Sequence, residues 1–108
     1  MQIKEFCDLY SVDKGEVDYW VRIGLLHPRV MKNGYRSFEA DAEEEIQLIL
    51  IAKMLDYPGS LDSKIDRIKQ MNGRDLRKLL DRIRNRYDIF TKNYEVAYGL
   101  LARKIEGR

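Results

Sequence analysis

Between residues 14 and 36, Lys14, Arg22, Arg29, Lys32 and Arg36 oppose only Glu16 and Asp18, a local charge of +3. Lys14, Asp18 and Arg22 recur every four residues, so on a helix they share one outward face, with Tyr19 beside them. Arg29, Lys32, Asn33, Tyr35 and Arg36 crowd around one short turn. Clustered cations with exposed aromatics suit contact with a phosphate backbone, and an acid among them can accept a hydrogen bond from the exocyclic amine of cytosine. The same stripe also fits an ordinary solvated helix face, in which Asp18 holds Arg22 in place. Tyr35 packed under the turn, with Arg36 lying over Trp20, is the corresponding structural alternative for the hairpin.

The elements that must position these residues are legible nearby. Asp13 followed three residues later by Glu16 is an acidic capping box, and Val17, Trp20, Val21 and Leu25 repeat at helical spacing, which predicts a helix over Lys14 to Ile23 with Gly24 as its stop. Pro28 cannot continue a helix, and Asn33-Gly34 between Val30 and Tyr35 predicts a hairpin whose two turn positions both take positive φ. Upstream, Ile3, Phe6, Cys7 and Leu9 give a two-turn helix over residues 2 to 9, with Val12 packing inward at the turn.

RIGLLHP, a short gap and then NGYRSF resemble the N-terminal winged helix-turn-helix of the MerR family of bacterial transcription regulators. Val12, Tyr19, Arg22, Ile23, Gly24, Leu25, Leu26, Pro28, Gly34, Tyr35, Arg36 and Phe38 carry the match. Glu16 and Asp18 stand where the family normally has threonine and arginine, and Trp20 replaces a tyrosine. The resemblance implies a mainly α fold: a winged helix-turn-helix head of four short helices and a two-stranded wing, followed by a long C-terminal coiled-coil dimerisation helix. It assigns DNA binding to Lys14, Asp18, Tyr19, Arg22, Arg29, Lys32, Asn33, Tyr35 and Arg36. Double-stranded DNA and RNA polymerase are the implied partners of a homodimer that bends or untwists promoter DNA.

The rest of the chain divides accordingly. Residues 39 to 55 begin with acids suited to a helix N-terminus and place Ile46, Ile49, Leu50, Lys53 and Met54 in helical register, with Ile51 and Leu55 widening the stripe. Pro58-Gly59 breaks it. Ser60 or Asp62 can cap a short helix with Leu61, Ile65, Ile68 and Met71 on one face. DYPGSLDSKI is similar to the family's corner at this point with two residues inserted, leaving Lys64 and Lys69 as phosphate-contact candidates. Asn72-Gly73 reads as that helix's C-cap. Leu76, Leu80, Ile83, Tyr87, Phe90, Tyr94, Ala97 and Leu101 then alternate at spacings of four and three, a heptad pattern that needs a partner helix. The expected organisation is a DNA-binding domain over 1–71 and a dimerisation helix over 74–106. The alternative is that the first half of the helix folds back onto the head. The final Ile-Glu-Gly-Arg matches a protease recognition tag.

Composition bounds the function. The net charge of +2 conceals −4 over residues 1–57 and +6 over residues 58–108, an acidic balance in the DNA-binding half that opposes tight nonspecific binding. One cysteine, Cys7, excludes an internal disulfide, and with one histidine it cannot build a Cys/His zinc site. His27 reads as a surface bridge residue without chemistry. With no phosphate loop or metal spacing, neither enzymatic activity nor a cofactor is expected. The absence of a long apolar run or leader points to a cytoplasmic protein with no membrane partner. A protein-interaction, architectural or excisionase-like module on the same fold is the alternative function.

Overall fold

The computed structural model describes residues Met1–Gly107. They form two compact units, the first over Met1–Gln70 and the second beginning at Met71. Arg108, the last residue of the Ile-Glu-Gly-Arg run, lies outside the described residues.

The first unit opens with α1 (Ile3–Tyr10), closed by Ser11 in the left-handed region at φ 53° and by Val12 N donating to Cys7 O at 3.1 Å. α2 (Lys14–Arg22) follows after three residues. Asp13 and Glu16 close the expected capping box, Asp13 N donating to Glu16 Oε1 at 3.4 Å. Val17 and Trp20 are the buried face of α2. Ile23 is the C-cap rather than the last helical residue, and Gly24 takes φ +82°. That left-handed step re-aims the chain. Leu25 N and Leu26 N both donate to Trp20 O, and Leu26 is the residue sent into the core while Leu25 stays half-buried, a correction to the register read from spacing.

β1 (Arg29–Val30) pairs antiparallel with β2 (Arg36–Ser37), Arg29 opposite Ser37 and Val30 opposite Arg36. The hairpin turn differs from the one expected. Gly34 alone takes positive φ (+84°), Asn33 does not, and Gly34 N donates to Met31 O at 2.9 Å while Met31 N donates to Tyr35 O at 2.7 Å. Glycine therefore serves the left-handed position after a four-residue turn, and Asn33 contributes its side chain, Oδ1 accepting from Tyr35 N at 3.1 Å. Directly after the wing, Phe38 stacks on Phe6 with centroids 4.4 Å apart, and the Met1 ammonium and carbonyl bond to Phe38 O and N. The wing is thus anchored at its base.

α3 (Ala40–Lys53) buries Ala42, Ile46, Ile49 and Ala52 and half-buries Leu48, Leu50 and Ile51, so it is covered on more than one side. Met54, expected in that register, is its C-cap and is exposed; Leu55 is buried instead. α4 (Leu61–Lys69) starts at Ser60, whose hydroxyl accepts from Ser63 N at 3.2 Å, and packs Ile65 and Ile68 against the head.

In the second unit, α5 (Gly73–Glu106) is one unbroken helix of 34 residues, about 50 Å at 1.5 Å per residue. Asn72-Gly73 does not end α4, which closes at Gln70. Asn72 instead caps α5, its Oδ1 accepting from Asp75 N at 2.9 Å. Asparagine followed by glycine suits either helix end; the Asp75 amide decides.

Candidate nucleic-acid interface

The capping box starts α2 at Lys14, and burial of Val17 and Trp20 turns the opposite side outward. On that side Lys14 and Arg22 are exposed, Tyr19 is 47% exposed, and the Asp18 side chain is 45% exposed. The Arg22 guanidinium lies 5.4 Å from the Tyr19 ring centre, a cation–π contact that spreads cationic character along the face.

The wing presents Arg29, Lys32, Asn33 and Tyr35 to solvent, Tyr35 at 69%. Tyr35 therefore does not pack beneath the hairpin. Arg36 does not lie over Trp20 either: its Nη2 donates to Asp18 Oδ1, and it is Lys53 that approaches the Trp20 ring, at 5.4 Å. Asp18 holds Arg36 rather than Arg22. This ion pair ties the wing to the exposed face of α2, so the two clusters that sequence separates by a proline bridge form one continuous surface.

Further contacts set the frame. Glu16 accepts from Lys53 Nζ at 3.1 Å as well as from the Asp13 amide, and the Lys53 hydrogen bond, followed by that amide, holds its carboxyl below the usual carboxylate value. Burial pushes the Cys7 thiol up, reinforced by Asp8, Asp13 and Asp18. His27, read as a bridge residue without chemistry, is exposed but fixed: its backbone N donates to Glu45 Oε1 at 2.9 Å and its Nδ1 lies 2.5 Å from Glu45 Oε2. Both oxygens of one α3 carboxylate clamp the segment between α2 and the wing. A pair 18 residues apart leaves no spacing signal, and neither this clamp nor the Asp18–Arg36 pair could be found from the chain alone.

At the Pro58-Gly59 corner, Lys64 Nζ donates to Leu55 O at 3.2 Å, which makes it a cap for the end of α3, while Lys69 stays exposed. Arg67 stacks on Tyr57 at 4.1 Å.

On α5, Leu76, Leu80, Tyr87, Phe90, Tyr94, Ala97 and Leu101 are exposed and Ile83 is half-buried. Ile89, Val96, Tyr98, Leu100 and Ile105 are exposed beside that series, with the Tyr94 and Tyr98 rings 6.3 Å apart. Leu79, which the heptad reading skipped, is the buried residue of this helix. Among the described residues no cluster of three or more His, Cys, Asp or Glu is placed to hold a metal, and no helix is long and apolar enough to cross a membrane.

Comparison with curated proteins gives no match, and comparison with solved structures gives none. The family model described as MerR HTH family regulatory protein matches residues 1–58, which span α1, α2, the wing and α3. That match covers more than half of the 108 residues and includes the surface formed by α2 and the wing, so the chain belongs to the MerR family of helix-turn-helix regulatory proteins, whose members are DNA-binding regulators.

Proposed function

We propose that the protein is a homodimeric, sequence-specific DNA-binding regulator of transcription that acts in the cytoplasm on promoter DNA. One observation carries the reading: α2 and the wing, joined by the Asp18–Arg36 pair, offer Lys14, Tyr19, Arg22, Arg29, Lys32, Asn33 and Tyr35 on one exposed surface. In this reading α2 enters the major groove and the wing grips the flanking backbone. Residues 1–71 act as the DNA-binding domain and 74–106 as the dimerisation helix. The exposed heptad series of α5 supports pairing with a second copy, which would hold two heads at a fixed separation. Contacts made by both heads would then supply the energy to bend or untwist the DNA between half-sites, and RNA polymerase would read the distorted promoter.

Asp18 on the exposed face of α2 favours a second reading, in which the head has become a protein-interaction module. The two differ in one measurement. Gel-shift and footprinting at low salt on DNA upstream of the protein's own gene, with solution mass measured in parallel, should show a protected site bound by a dimer. A folded dimer that protects no DNA would rule out the regulator and leave the interaction module.

A further inference from the structure

The Asp18–Arg36 pair joins two elements for which a lone acid is a liability. Lys14 and Arg22 flank Asp18 at four residues either side on α2, yet neither pairs with it; Arg22 lies against Tyr19, and the guanidinium that reaches Oδ1 comes from β2 in the wing. Arg36 Nη2 takes Oδ1. Oδ2 accepts no hydrogen bond among the described residues, and the Asp18 side chain remains 45% exposed against 28% for Arg36. The carboxylate is therefore held from one side and open on the other.

The geometry points to Asp18 as the specificity-determining residue of the head and to Arg36 as the positioning residue that makes it usable. The ligand is the exocyclic amine of one cytosine per half-site. This rests on the DNA-reading function proposed above. A free carboxylate brought against a duplex is repelled by the phosphates, whereas a pair of zero net charge enters the groove with little penalty. An ionised carboxylate can only accept. Of the base edges in the major groove, guanine offers acceptors at N7 and O6, thymine an acceptor at O4, and adenine a donor beside the N7 acceptor; cytosine alone offers a donor without an adjoining base acceptor. A fixed Oδ2 therefore discriminates. Arg36, neutralising this acid, serves Asp18 rather than a phosphate.

The test is selection from a pool of random duplexes, followed by affinity measurement on the selected sites, for the full chain and for Asp18→Ala, Arg36→Gln and the double variant. Melting temperature and solution mass confirm that each is a folded dimer, and Arg36→Lys serves as the charge-preserving control. The wild-type chain should require cytosine at one position per half-site. Asp18→Ala should lose that preference, which is worth roughly five- to thirtyfold, the lower part of the range for a good side-chain–base pair. Arg36→Gln should weaken binding about tenfold by unmasking the acid, a penalty that should largely disappear when Asp18→Ala is already present. An unchanged base preference in Asp18→Ala overturns the inference alone. So does an Arg36→Gln penalty of equal size with and without Asp18, which would make Arg36 a phosphate anchor. Failure of the wild-type chain and every variant to bind any duplex overturns both this inference and the DNA-reading function.

Discussion

Glu16 shows how closely single side chains are shared in the head. It closes the cap of α2 by accepting from the Asp13 amide, and it accepts from Lys53 at the end of α3, which itself lies over Trp20. The Lys53 hydrogen bond holds its carboxyl below the usual carboxylate value, and the Asp13 amide adds to this. A folded-state value below the unfolded one means the ionised form stabilises the fold. The contribution is present above the ordinary carboxylate range and is lost as pH falls through the lower folded value. With the side chain 39% exposed, solvent screening keeps it small. Glu16→Gln should lower the melting point at pH 7 by a few degrees, for a cost of about 0.5 kcal/mol. The gap should close as pH falls through the lowered folded value. Thermal melts from pH 3 to 7 by circular dichroism check this, and a gap that persists in acid would assign the effect to neutral hydrogen bonding.

The wing separates shape from charge at the scale of an element. Gly34 holds φ +84° with nothing within 4 Å of an added Cβ, so a side chain there costs backbone strain without a clash. Gly34→Ala should cost about 1 kcal/mol at the turn. Because β1 and the turn residues 31–35 are exposed, the melting point of the head should barely move, while DNA affinity should fall about fivefold as the turn relaxes. No charge is removed, so the slope of log affinity against log salt should be unchanged. Lys32→Gln should instead reduce that slope by about 0.9 per head. Salt titrations of the two variants on one duplex distinguish them. The hairpin, the capping box, the helix order and the buried Trp20 were all legible, because each rests on local chemistry. The turn's detail was not: Asn-Gly signals a hairpin, but whether one or both residues take positive φ depends on the pairing of Val30 with Arg36 across it. Leu26 displaced Leu25 because a single left-handed glycine breaks helical phase. Asp18–Arg36 and His27–Glu45 depend on the path of the chain between them, which spacing does not encode.

For the whole molecule the question is what the exposed series on α5 is for. Tyr87 is 66% exposed, Phe90 68% and Tyr94 59%, and their spacing of three and four residues puts them on one seam. An isolated helix of this length gains little from propensity alone and is held by burying an apolar face, which is what the proposed pairing with a second copy would supply. Phe90→Asp would set a charge in the middle of that seam. It should halve the solution mass towards 12.8 kDa and weaken binding to a two-half-site duplex far more than to a single half-site, because the second head loses its tether. Gly99 provides the opposite change. A Cβ there would meet Arg103 Nη1 at 3.7 Å, ordinary contact with the end of a flexible chain, and alanine is about 1 kcal/mol better than glycine within a helix. Gly99→Ala should therefore raise helicity and tighten the dimer without touching the head. If Phe90→Asp left both mass and two-site affinity unchanged, α5 would not be the dimerisation helix, and each head would have to read DNA alone.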